Sequence, residues 1–302
     1  MAHATTDTAL AGSYGAAAAA TAKTPGYWGG VWRKLRRDPV TVVCMAVVLL
    51  IVLAAIFAPF VAPNDPYATS MTRRLKPIGT DGHLLGTDEL GRDMLSRLIY
   101  GGRISLFTGL TPVFLATLIG GGLGLLAGYF GGLVNTAVMR TMDVFYAFPS
   151  VLLAVAISGA LGAGLLNVLI ALTVVFIPPI CRIAESVTTQ IRTEDYVDAA
   201  RATGASTPRI IGTHILPNVL GPVFIYASSL ISVSIVVASG LAFLGLGVSP
   251  PQADWGLMLN TLRQAIYIAP VNAVVPGVMI FITSMCFNMM SDGLRSSMDV
   301  KD

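Results

Sequence analysis

Charged residues are scarce in this chain: 12% of its 302 residues are Asp, Glu, Lys or Arg, and only four are lysine. A soluble domain carries about 25%. The scarcity is also uneven. No charge falls within 41–62, 104–128 or 144–181, and 215–264 holds only Asp254 and Arg263. Uncharged runs of this length are what lipid-spanning helices need, because a backbone in hydrocarbon must satisfy its own hydrogen bonds.

Other absences narrow the function. There is no Gly-x-x-x-x-Gly-Lys-Ser/Thr phosphate loop, so the chain does not bind and hydrolyse ATP by that route. The spans hold essentially no ionisable residue, with Asp143, Arg182 and Asp292 at their edges, whereas proton- or sodium-coupled carriers usually keep intramembrane carboxylates or unwound ion-binding helices. Energy therefore comes from a separate motor, or there is no motor. Cys44, Cys181 and Cys286, like His3, His83 and His214, are scattered without paired spacing, which predicts neither a disulfide framework nor a metal site. The net charge of +3 comes from basic residues near span ends and points to no nucleic-acid partner.

What is present reads as an all-α membrane protein with six transmembrane helices. Residues 1–38 read as a cytoplasmic N-terminal tail, and 39–62 as an uncleaved first span behind Arg33, Lys34, Arg36 and Arg37. Residues 63–103 form an extracytoplasmic loop. In it, Leu90, Met94, Leu95, Leu98 and Ile99 mark an amphipathic helix at the membrane surface, capped by Thr87 or Asp88. Asp88 and Asp93 suit a solvated, self-paired helix face, with a solute pocket as the alternative. A five-helix core fills 104–291. Its second span carries Gly120, Gly124 and Gly128 at four-residue intervals, a bare face for close helix packing. The 144–181 run is too long for one crossing, at 1.5 Å per residue against a core of about 30 Å. It divides at 158–164 into a third span over 135–159 and a fourth over 165–182. The fifth ends near 245–247 before a loop holding Trp255, and the sixth covers 271–290. Residues 292–302 make a C-terminal tail. Basic residues at 23–37, 140, 182–209, 295 and 301 place both termini in the cytoplasm. On the sixth span, Ser284 and Asn288 lie four apart, a polar strip for interhelical hydrogen bonds or for solute.

The longest cytoplasmic connection, 183–217, carries the most pattern. Thr193-Glu194-Asp195 reads as a helix start and Gly204 as its left-handed stop, followed by a second short helix with Thr207 as N-cap and Pro208 at its first position. Ala199 and Ala200 are small enough to seat that first helix in a partner's cleft, with Asp198 and Arg201 at the rim. On composition alone, an ordinary amphipathic loop remains the alternative.

The stretch Tyr196-Val197-Asp198-Ala199-Ala200-Arg201-Ala202-Thr203-Gly204, with Ile215-Leu216-Pro217 beyond it, resembles the Glu-Ala-Ala loop of bacterial ABC-importer permeases. Leu85-Gly86-Thr87-Asp88, Gly91-Arg92-Asp93, Asp143-Val144-Phe145, Trp255-Gly256 and Asp292-Gly293-Leu294-Arg295 extend the resemblance to the dipeptide/oligopeptide branch, in its second permease type. Asp198 stands where that family usually has Glu, and Glu185 where relatives are often basic. The resemblance implies a type I ABC-importer (MetI-like) permease fold in the bacterial inner membrane, without catalytic residues or cofactors of its own. It implies a heterodimer with a related permease, two ATP-binding subunits that hold ATP and Mg, and an extracytoplasmic substrate-binding protein. Peptide is the implied solute, with nickel chelates, haem or glutathione as alternatives. A motor-free channel or secondary carrier is the reading from another class.

Overall fold

Uncharged runs become long helices. The computed structural model describes residues 32–298, so most of the expected N-terminal tail and residues 299–302 lie outside the described residues. In chain order the helices are α1 (Pro39–Ile56), α2 (Ala58–Val61), α3 (Met94–Phe130), α4 (Gly132–Tyr146), α5 (Ser150–Leu161) and α6 (Leu165–Arg192). There follow α7 (Asp195–Ala202), α8 (Thr207–Ile210), α9 (Leu216–Phe243), α10 (Trp255–Leu262) and α11 (Pro270–Met298). Among them α1, α3, α6, α9 with its α8 lead-in, and α11 are long and apolar enough to cross a bilayer. The pair α4–α5, bent by 87°, supplies a sixth crossing when taken as one broken span.

That bend corrects the expected continuous third span over 135–159. Pro149 has no N–H for the helix ladder and disfavours helical geometry at Phe148. Its own backbone is extended at ψ 125° before Ser150 restarts the helix. Other boundaries shift outward. α6 continues past Arg182 to Arg192, and α11 past Met290 to Met298, so the segment expected as a tail from 292 is helical through Met298. Charges mark where hydrocarbon ends, but a hydrogen-bonded helix continues into the polar zone.

The first connection is also not as expected. No helix starts at Thr87 or Asp88. Asp93 is the N-cap, accepting from the Ser96 N–H at 2.8 Å, and Met94 begins a 37-residue helix that contains the whole apolar stripe from Met94 onward. Upstream, residues 64–93 fold into a polar cap. Asp88 pairs with Arg92 at 2.6 Å and Arg97 at 3.3 Å, and all three side chains are buried. Asp93 meets His83 at 2.8 Å, also out of solvent. The aspartates are thus self-paired but not solvated. Arg97 ties the cap to the loop before α10 by donating to the carbonyls of Pro66 and Pro251, at 3.2 and 3.3 Å. Asn272 ties it to α11, donating to Lys76 and Thr87 carbonyls at 2.8 and 3.0 Å.

The expected loop around Trp255 contains α10, seated against α3 and α9. Asp254 caps it by accepting from the Leu257 N–H at 2.9 Å, and its other oxygen accepts from Ser105 at 2.7 Å. Burial pushes the Asp254 carboxyl above its ordinary pKa, against the pull of these hydrogen bonds. The Trp255 indole donates to the Leu98 carbonyl at 2.9 Å.

The centre of the molecule is the α3–α6 pair, the most extensive interface in the fold. Gly120, Gly124 and Gly128 face Ile177, Cys181 and Glu185 in the same order, so the two helices run parallel in register. A β-carbon built on Gly120 would lie 2.6 Å from the Ile177 carbonyl oxygen, and one on Gly128 2.7 Å from that of Glu185. At Gly124 it would overlap the Cys181 carbonyl. Gly122 faces open space, with nothing within 4 Å. Gly124→Leu is therefore expected to destabilise the protein by about 1–3 kcal/mol or more, while Gly122→Ala leaves it unchanged. Thermal unfolding of the detergent-solubilised variants measures the difference.

Candidate coupling surface

α6 ends at Arg192, and the chain turns through Thr193 and Glu194 into α7. Glu194 is the N-cap without a side-chain cap bond, and Asp195 and Asp198 lie in the first turn, where acids favour the helix dipole. The stop is a Schellman turn: the Ala205 N–H donates to the Ala200 carbonyl at 3.1 Å and the Gly204 N–H to that of Arg201 at 3.0 Å. Gly204 has φ +80° and open space around its α-carbon.

The second helix starts one residue earlier than expected, with Ser206 as N-cap and Thr207 as first residue. It does not stand apart as a short helix. α8 runs through a π-helical turn at Ile211–Ile215 directly into α9. Pro217 accounts for the widened turn, since its ring crowds the carbonyl four residues back and offers no N–H. α7 is thus a separate helix strapped between the ends of two spans.

One face of α7 is committed to the protein itself. Val197 is fully buried and packs in the same apolar cluster as Ile210, Ile215 and Ala184. Ala200 and Ala205 pack against that cluster, half-buried. This splits the alanine pair: Ala199 is exposed, whereas Ala200 belongs to the seam that holds α7 down. The outward face carries Tyr196, Asp198, Ala199, Arg201 and Ala202. Asp198 and Arg201 pair with each other at 2.8 Å across one turn. Leu216 and Pro217 are exposed beside them, while Ile215 points inward.

The two halves of the motif meet in space. Tyr196 lies against His214, ring centroids 6.1 Å apart, and the Asn218 amide donates to the Tyr196 hydroxyl at 3.4 Å and the His214 carbonyl at 2.6 Å. Arg192 donates to the Tyr129 carbonyl at 3.1 Å, and Asn135 to Glu185 at 2.6 Å, so the same end of α6 is fastened to the α3–α4 corner. These two contacts join residues far apart in sequence, and no local spacing announces them.

The polar strip on α11 is less engaged. Ser284 donates to the Phe281 carbonyl of its own helix at 3.1 Å, and Asn288 is exposed. The interhelical bond of that region runs instead between Ser291 and Ser228 of α9, at 3.0 Å.

The family described as binding-protein-dependent transport system inner membrane component matches residues 120–299. The chain belongs to that family of permeases. Residues 26–77 match the N-terminal TM domain of oligopeptide transport permease C. Among curated relatives, the glutathione transport system permease protein GsiD of Pectobacterium atrosepticum is 39% identical over 279 residues, covering 92% of each chain. The dipeptide transport system permease protein DppC of Alkalihalophilus pseudofirmus is 38% identical over 281 residues, covering 93% of this chain and 91% of that one. Among solved structures, the methionine ABC transporter MetNI in inward-facing conformations aligns with TM-score 0.54 and 20% identity over 68% of this permease and 97% of that chain. At that identity the likeness is one of fold. This permease is a multi-pass inner-membrane subunit of an ABC importer.

Gly204→Ala isolates the turn. A side chain there meets no atom, so the cost is the left-handed backbone alone, about 1–2 kcal/mol. Faster amide exchange across residues 195–205 of this permease, with the spans unchanged, is the expected result in hydrogen-exchange mass spectrometry.

Proposed function

We propose that this permease forms one half of a peptide pathway and takes its energy from ATP-binding subunits that seat α7 in a cleft. Its other partners are a related permease and an extracytoplasmic binding protein that delivers the solute, and both of its termini face the cytoplasm. ATP and Mg belong to the motor subunits. The chain's part is to convert motor closure into movement of its spans between inward- and outward-facing arrangements, a rigid-body two-state change.

The observation that carries this reading is the geometry of α7. A helix of eight residues, closed by a Schellman turn and held from behind by Val197, offers a small-residue outward face at Ala199 and Ala202. Ala199 and Ala202 are exposed there, between Tyr196, which rests on His214, and Arg201, which lies over the Tyr129 ring. Short chain links join α7 to the ends of both α6 and α9, so a force applied there reaches two spans at once. Di- and oligopeptides are the solute this reading favours. Glutathione, itself a peptide, is the second reading, on the strength of relatives whose names assign it to them.

The test is reconstitution of the complete transporter in proteoliposomes with ATP inside. Wild-type complex is expected to accumulate dipeptide only with ATP and binding protein. Ala199→Asp places a carboxylate at the centre of the docking face, and is expected to weaken association with the motor subunits by about tenfold or more while membrane insertion is retained. Unchanged association and unchanged peptide-stimulated ATP hydrolysis in this variant would rule out α7 as the docking helix.

A further inference from the structure

Where α4 and α5 break apart, a cavity of about 220 Å³ opens between the bend, α6 and α9. Tyr146 and Phe148 wall it from the bend, Phe176 with Pro178 and Pro179 from α6, and Tyr226 from α9. We infer that this cavity is a contact point on the solute path that takes one residue at a time of an extended zwitterionic peptide, its side chain against the aromatic rings. The inference rests on the proposed function and deepens it.

Three features make this wall unsuited to lipid. Pro178 and Pro179 have no N–H to give, so the carbonyls of Val174 and Val175 lose their donors four residues on. Val175 itself lines the cavity. Unsatisfied carbonyls in hydrocarbon cost several kcal/mol each, so such breaks are kept where protein or water covers them. Second, two residues with a polar tip, Tyr146 and Tyr226, line the same space. Third, the Arg182 guanidinium lies 4.8 Å from the centre of the Tyr146 ring. It pairs with Asp143 at 2.6 Å, and the two side chains are 49% and 47% exposed. In a chain whose long runs carry no charge, a half-exposed ion pair beside an aromatic hollow is a polar surface.

The chemistry of the hollow matches a peptide. Its rings accept apolar and aromatic side chains without fixed orientation. At the edge of the hollow, Arg182 suits a carboxylate, with Asp143 its counterpart for an amine. The volume is below the roughly 300–1,000 Å³ of sites that enclose a whole ligand, so the cavity grips a residue and not an oligopeptide. A site of this kind passes peptides of differing length while sensing side-chain bulk.

The experiment uses the complete transporter with its binding protein in proteoliposomes. Phe148 is 56% exposed at the mouth, and replacing it alone with photoreactive p-benzoylphenylalanine is expected to cross-link radiolabelled Ala-Phe-Ala during ATP turnover, in competition with unlabelled peptide. Separately, Tyr226→Ala is expected to lower the uptake ratio of Ala-Phe over Ala-Ala by about three- to tenfold, while Tyr226→Phe keeps it. The binding protein is the same in every sample, so a changed ratio reports the permease. Cross-links confined to lipid or to the second permease, or an unchanged ratio in Tyr226→Ala, would overturn the inference while leaving the peptide reading intact. Wild-type complex that moves no peptide would overturn both.

Discussion

Where Gly120, Gly124 and Gly128 meet α6, two helix backbones touch, and much of the remaining architecture follows from that contact. Lipid tails give helices no hydrophobic reason to associate, so close van der Waals approach must hold them. Three glycines in register with Ile177, Cys181 and Glu185 provide it along two turns. Because α3 and α6 run parallel, the chain between them has to return across the bilayer. That return is the broken pair α4–α5, and its break creates the cavity bounded by Tyr146, Phe176 and Tyr226. The same register brings Arg192 to the Tyr129 carbonyl, which fixes the end of α6 from which α7 departs.

The other end of the molecule depends on a different kind of contact. Residues 64–93 have no regular helix longer than one turn, and they are held by polar groups taken out of water. Asp88 serves both Arg92 and Arg97, and Asp93 serves His83 and the first turn of α3. Removing either partner from such a set strands a buried charge, so each group constrains the rest. Arg97 and Asn272 carry this constraint outward to the loop before α10 and to α11. One end of the bundle is therefore closed by a polar cap, whereas the other ends in α7 and exposed helix termini.

Much of this was legible in the sequence, and what was not has identifiable causes. The spans were legible because charge is excluded from them, the α3 seam because glycine at four-residue spacing bares one face, and the end of α7 because Gly204 supplies a left-handed residue. The bend at Pro149 was hidden by composition: an uncharged run from 144 to 181 looks the same whether its first crossing is straight or broken. The cap was misread because Asp88 and Arg92 at four-residue spacing fit an exposed helix as well as a buried turn. Only tertiary partners such as Pro66 and Pro251 decide between them. Within the coupling surface, the inward turn of Ala200 could not be read from its size, which equals that of Ala199. Its role follows from Val197, three residues earlier and fully buried, which sets the face that packs.

The placement of ionic groups bears on how such a chain does work. Among the described residues, the ion pairs lie at or beyond span ends: Asp88 with Arg92 and Arg97, Glu89 with Arg92, His83 with Asp93, Asp143 with Arg182, and Asp198 with Arg201. No charged pair sits at mid-span whose protonation or sodium occupancy would drive a conformational change. In the proposed coupling, movement enters mechanically through α7. Thr193 and Glu194 link it to α6, and the turn at 203–206 links it to the continuous α8–α9 helix. α6 is held to α3 by the glycine seam, and α9 packs against both, with Val219, Val223 and Leu241 in one apolar cluster with Leu172, Phe176 and Ile180. The cavity at the α4–α5 break has one wall on α6 and another on α9. On that proposal, a displacement of α7 reaches both α6 and α9, the two helices that carry opposite walls of the hollow.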